Sequence, residues 1–142
     1  MIIEEYKFSY DELLGLLNHF SYNFNPPLCE VLDLQQYSDK VVRNADFLIC
    51  RNGNIIIGVL AYYKNKDNAQ LYVTMFCVDN SYQRCGIGQK MLAFLKTKFG
   101  NVYQSIALEV DVDNLKGYNF YIKQGFKKQE DRGNKYLMLM CK

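Results

Sequence analysis

Gln70-Leu71-Tyr72-Val73-Thr74-Met75-Phe76-Cys77-Val78, followed closely by Gln83-Arg84-Cys85-Gly86-Ile87-Gly88-Gln89-Lys90, is the stretch that decides the fold. The first segment is rich in β-branched and aromatic residues and reads as a strand. In the second, Ile87 starts a series with Met91, Leu95 and Phe99, flanked by Leu92 and Phe94, that recurs at helical spacing up to Gly100. What lies between is a strand-to-helix turn. Gly86 and Gly88 stand where the first amides of a helix have no partner, and such a terminus favours an anion. Two residues without side chains let a diphosphate approach the main chain, with Arg84 and Lys90 supplying charge nearby. Glycines that merely ease the turn are the plainer reading of the same pair. A dinucleotide fingerprint needs a third small residue where this chain has Met91, and a P-loop needs G-K-[ST]; neither fits.

Upstream, Phe47 to Arg51 and Ile55 to Tyr63 are apolar runs joined by Asn52-Gly53, a hairpin signal, and Lys64 to Asn68 turns the chain into Gln70 to Val78. These form an antiparallel meander. Before it, a short apolar start leads to Ser9, whose S-x-x-E spacing to Glu12 marks a helix start, with Leu13, Leu14, Leu17 and Phe20 at helical spacing. Asn23 to Leu28 reads as a loop around Pro26-Pro27, and Leu34 to Ala45 as a second helix with Tyr37 and Val41 on one face. Downstream come a strand from Ile106 to Val112 and a helix from Leu115 to Gln124, capped by Asn114 and Gly125. A hairpin of Phe126 to Gln129 and Tyr136 to Cys141, around Arg132-Gly133-Asn134, closes the chain. The order is strand, two helices, three strands, helix, strand, helix, two strands: an α/β chain with an α+β mixed sheet.

The length of 142 residues, with 49% hydrophobic and 23% charged residues, suits one domain spanning 1–142. Five scattered cysteines, Cys29, Cys50, Cys77, Cys85 and Cys141, form no C-x-x-C pair and have one histidine, His19, among them. That argues against zinc and a disulfide framework, and for a reducing, cytoplasmic location without a metal. The N-terminus is acidic where a secretion signal is basic, and the longest apolar run, Ile55 to Tyr63, falls short of the roughly 18 residues of a membrane span. A net charge of +2, spread along the chain, is too small for a nucleic-acid footprint. The expected partners therefore include no nucleic acid and no membrane, with room for a homodimer.

Q-x-x-G-x-G after a strand ending in Val78, followed by Leu108-Glu109-Val110, Asn114, Tyr121 and Gly125-Phe126, resembles the GNAT superfamily of acyl-CoA-dependent N-acyltransferases. The resemblance implies the GNAT fold, with a splayed cleft between the strand ending at Val78 and the one beginning near Ile106. It implies acetyl-CoA as cosubstrate and an amine as acceptor. By the same resemblance, Gln83, Arg84, Cys85, Gly86, Ile87, Gly88, Gln89 and Lys90 hold the diphosphate. Phe76, Cys77 and Val78 pair with the pantetheine arm as a strand would, and the Val78 amide faces the thioester oxygen.

Asn114 resembles the residue that bonds pantetheine, and is equally a helix N-cap. Tyr121 sits where the family places the phenol that protonates the departing thiolate; ordinary packing is its other reading. Glu109 corresponds to a general base in some branches of the family, and otherwise to an ion pair on the strand's polar side. Asp111, Tyr72 and Thr74 are weaker candidates for that base. His19 reads as packing or surface without a partner, and Lys127-Lys128 as a solvated hairpin face. The acceptor is framed by the first two helices and the Asn25-Pro26-Pro27-Leu28 loop, where Phe20, Tyr22, Asn23, Phe24 and Asn25 suggest a semi-polar pocket, such as an amino sugar would fill. Two other functions stay open at this point: a catalytically silent acyl-CoA-binding module and a nucleotide-binding oxidoreductase.

Overall fold

One mixed sheet with helices on both faces emerges from the computed structural model, which describes residues 1–23 and 27–141. Its elements are β1 (Ile2–Tyr6), α1 (Tyr10–Phe20), a 3-10 turn at Ser21–Asn23, α2 (Leu28–Val31), α3 (Leu34–Asn44), β2 (Asp46–Asn52), β3 (Ile55–Asn65) and β4 (Gln70–Val78). A second 3-10 turn at Asn80–Tyr82 leads to α4 (Ile87–Phe99), β5 (Ser105–Asp111), α5 (Leu115–Lys123), β6 (Lys127–Asp131) and β7 (Lys135–Cys141). The strand order is β1-β2-β3-β4-β5-β7-β6. Every neighbouring pair is antiparallel except β4 and β5, whose parallel connection is made by α4.

Two cores follow from the alternation of side chains. On one face, Leu48, Leu60, Leu71 and Leu108 pack with Ile87, Met91, Leu92 and Leu95 of α4. On the other, Phe47, Ile49, Val59, Ala61, Met75 and Cys77 meet Leu13, Leu17 and Phe20 of α1 and Val41 of α3. No helix among the described residues is long and apolar enough to cross a membrane.

The expected elements are present with shifted ends. The β2–β3 turn residues are Gly53-Asn54 rather than Asn52-Gly53: Asn52 pairs with Ile55, and Gly53 takes the positive φ of 61° at the first turn position. Ser9 Oγ accepts the Glu12 amide at 3.2 Å, while the Glu12 carboxylate accepts the Tyr6 hydroxyl at 2.7 Å instead of closing the capping box. α2 was not expected, since its four residues are too short for a periodic signal. α3 ends at Asn44 and is capped by Asp33, which accepts the Gln35 and Gln36 amides. β6 starts at Lys127 because Phe126 leaves the strand to be buried in the core. Of the expected loop, Phe24, Asn25 and Pro26 lie outside the described residues.

Candidate active site

The site begins where β4 leaves β5. The parallel pairing runs from Gln70–Ser105 to Val73–Leu108 and stops. On the other side, Ala61 of β3 pairs with Met75 and Tyr62 with Val73, so Thr74 is an extra residue, a β-bulge. A one-residue slip turns side chains to the opposite face. Leu71 and Val73 accordingly lie in the α4-side core, and Met75 and Cys77 in the α1-side core. From Met75 onward β4 keeps its ladder with β3, and β5 continues with β7 alone. The two parallel strands part at their C-terminal ends, the position where open α/β sheets bind ligands.

At that same end the chain enters α4. Gly86 is the N-cap residue, with φ 76° in the left-handed region, and Arg84 also has a positive φ of 71°. Alternation of this kind turns successive amides toward one side, as in anion-binding nests. The first bond of the helix runs from the Lys90 amide to the Gly86 carbonyl at 3.1 Å. Among the described residues, the amides from Arg84 to Gln89 have no acceptor. Ile87 is buried and anchors the turn, while Arg84, Cys85, Gln89 and Lys90 are exposed. Gly88 sits close to the aromatic wall: a Cβ there would meet Phe120 Cζ at 3.2 Å, tight enough that the ring would have to shift, and Phe76 Cζ at 3.5 Å.

Gln83 ties the turn together. Its Nε2 donates to the Val78 carbonyl at 3.3 Å and to Asn80 Oδ1 at 2.9 Å, and its Oε1 accepts from Lys116 Nζ at 3.2 Å. It thereby joins the end of β4 to the start of α5. Asn114 caps that helix, its Oδ1 accepting the Gly117 amide at 2.9 Å. The capping reading of Asn114 is therefore the contact the geometry displays. The starts of α4 and α5 face the same end of the cleft, and both bring the positive pole of a helix.

Tyr121 lies on α5 against the splayed half of β4, its ring 6.5 Å from Phe76, 5.4 Å from Phe120 and 5.5 Å from Phe126. Burial, and then the nearby Cys77 thiol, push its phenol above the ordinary range, so it keeps its proton. Glu109 alternates with Leu108 and Val110 and so faces the other side of the sheet. There its Oε1 accepts the Tyr72 hydroxyl at 3.3 Å and its Oε2 pairs with Arg132 Nη1 at 3.1 Å. Burial and the Glu109 carboxylate push Tyr72 up to about 12. In the sequence Arg132 reads only as part of a turn; its reach across the hairpin to Glu109 has no signature in spacing.

His19 is not partnerless as expected: its Nε2 is 3.3 Å from Asp79 Oδ2, linking α1 to the residue after β4. Lys127 and Lys128 lie on an exposed strand, with Lys128 Nζ 4.7 Å from the Tyr136 ring centre. Among the described residues, no group of three His, Cys, Asp or Glu side chains is placed to hold a metal ion.

A parted parallel strand pair, with open amides at the following helix start, is the arrangement that the resemblance to acyl-CoA-dependent transferases leads one to expect. The comparisons agree. Residues 17–140 match the family model described as "Acetyltransferase (GNAT) domain". The chain belongs to the GNAT acetyltransferase family.

Solved structures share the fold. A protein of Pyrococcus horikoshii OT3 is 24% identical, with 99% of each chain covered and a TM-score of 0.77. The PaiA N-acetyltransferase of Thermoplasma acidophilum, in complex with coenzyme A, is 18% identical, with 100% of each chain covered and a TM-score of 0.78. A GNAT family acetyltransferase of Elizabethkingia anophelis with acetyl-CoA bound is 18% identical over 99% of this chain and 97% of that one, with a TM-score of 0.73.

Proposed function

We propose that the chain moves an acetyl group from acetyl-CoA to a primary amine of a small molecule, amino sugar or peptide by direct transfer. The observation that carries this reading is the row of unpartnered amides from Arg84 to Gln89 beside a strand that has parted from its parallel neighbour. The diphosphate lies on those amides and the pantetheine arm runs from there along Val78 to Phe76, carrying the thioester toward Tyr121 and Glu109. The amine attacks the thioester carbon from the side of Glu109, forming the new C–N bond as the C–S bond breaks. Glu109 or a water removes the amine proton, and Tyr121 protonates the leaving thiolate. The raised pKa of the Tyr121 phenol supports that last step in that its proton is in place when the thiolate leaves.

The demand on the base depends on the acceptor. A lysine-like amine of pKa about 10.4 costs roughly 4.6 kcal/mol to deprotonate at pH 7, whereas an α-amino group of pKa about 7.8 costs roughly 1 kcal/mol. Glu109 has both oxygens engaged, by Tyr72 and Arg132. That arrangement favours acceptors with the smaller demand.

It also supports a second reading, an acyl-CoA-binding module without turnover. Steady-state acetylation of a panel of amines tests the first reading, with calorimetry for CoA. Tyr121→Phe keeps the ring packing and is expected to lower kcat about a hundredfold, with little change in KM for acetyl-CoA. An unchanged kcat removes Tyr121 from the reaction. CoA binding with no acetylated amine selects the silent module.

A further inference from the structure

Thr74 has no strand partner on either side: β3 pairs around it and β5 stops before it. Its main chain is nonetheless held. The Tyr37 hydroxyl, reaching over from α3, is 3.2 Å from the Thr74 carbonyl oxygen and 3.0 Å from Thr74 Oγ1. Both contacts are satisfied when Tyr37 donates to the carbonyl and the Thr74 hydroxyl donates to Tyr37. Tyr37 packs against the α1-side core, and burial pushes its phenol up to about 12, so it remains a donor at working pH. A bulge needs its orphaned carbonyl satisfied if it is to keep one shape. Here the acceptor comes from the strand that carries the cleft and the donor from a helix on the face where the amine approaches.

We propose that Tyr37 is a positioning residue for acetyl transfer: braced from α3 against the Thr74 bulge, it fixes how far Phe76 to Val78 stand from β5 and hence where the thioester lies. The inference rests on the cleft being the acyl-CoA site. The Tyr37 hydroxyl bonds Thr74 and, among the described residues, none of the diphosphate turn. Its loss therefore loosens one half of β4 without removing the anion site.

Hydrogen exchange of the ligand-free protein tests the brace independently of any reaction. In Tyr37→Phe, the amides from Met75 to Val78 are expected to exchange about tenfold faster, with β1 and β2 unchanged. In kinetics, kcat is expected to fall about tenfold at saturating acetyl-CoA while the dissociation constant of CoA stays within about twofold. Thr74→Val, which removes the hydroxyl but keeps the carbonyl bond, is expected to show the same pattern in smaller measure, and decides the matter should Tyr37→Phe not fold. Exchange from Met75 to Val78 within about twofold of the unaltered chain in the variants that fold overturns the proposal, as does faster exchange throughout the sheet. An altered exchange pattern in a chain that acetylates nothing keeps the brace and sinks the acetyl-transfer reading instead.

Discussion

The two halves of β4 are built from similar residues and behave differently. Gln70 to Val73 is paired on both sides, with β3 and β5, so its amides and carbonyls are spent within the sheet. Met75 to Val78 is paired with β3 and has parted from β5. A cavity of about 230 Å³ lies beside the closed half, lined by Leu71, Leu95, Phe99, Tyr103, Ile106 and Met140 among others. It is mainly apolar. The open half lies beside the start of α4 and its unpartnered amides. On the proposed reading the diphosphate is oriented by the open amides at the start of α4 and not by this cavity, whose few polar side chains, Lys96, Gln104 and Ser105, stand among a mainly apolar lining.

The contrast can be broken by substitutions that act on one half. Leu71 is fully buried in the closed half, and Leu71→Ala is expected to cost about 2–5 kcal/mol of stability with CoA affinity unchanged. Urea unfolding and calorimetry on the same variant check both parts; a parallel loss of affinity would mean that the halves are not independent. Gly86→Val acts on the other half. A Cβ there meets nothing within 4 Å, so any effect comes from the φ of 76°, which a β-branched residue resists. The turn is expected to relax and swing its amides away, weakening CoA about tenfold to a hundredfold, in keeping with a conformational strain of about 1–3 kcal/mol. CoA affinity that survives Gly86→Val would detach the diphosphate from this turn.

Legibility in the sequence followed the range of the forces involved. The helix from Ile87 to Phe99 and the turn before it were readable because caps, glycines and apolar periods act over a few residues. The cleft was implied by the family resemblance, but the bulge that makes it was not visible: Thr74 interrupts no alternation in the sequence, because burial still alternates along β4 while the face it points to changes. Tyr37, Tyr72 and Arg132 escaped notice as a group for the same reason. Their partners are 23 to 37 residues away, and only the folded sheet brings them together. The missing partner of His19 was a long-range contact too, across 60 residues.

That contact offers the gentlest probe of the open half. Asp79 follows directly on Val78; its Oδ1 accepts the Ser81 amide at 2.9 Å, capping the turn that leads to the diphosphate segment, and its Oδ2 faces His19. The Ser81 amide, followed by His19, holds the Asp79 carboxyl below its ordinary value in spite of partial burial. A carboxyl depressed by folding stabilises the native state fully above its unfolded pKa of about 3.9, and that stabilisation disappears as pH falls through the lower folded value. Asp79→Asn keeps an acceptor for Ser81 and removes only the charge. Urea midpoints should therefore separate the variant from the unaltered chain at neutral pH and converge as acid is added through and below the carboxylate range. The gap should be smaller than that of Leu71→Ala, because His19 is 67% exposed and solvent weakens its half of the pair. Midpoints that stay equally far apart from neutral pH down past the carboxylate range would show that the charge of Asp79 is not what ties α1 to the end of β4.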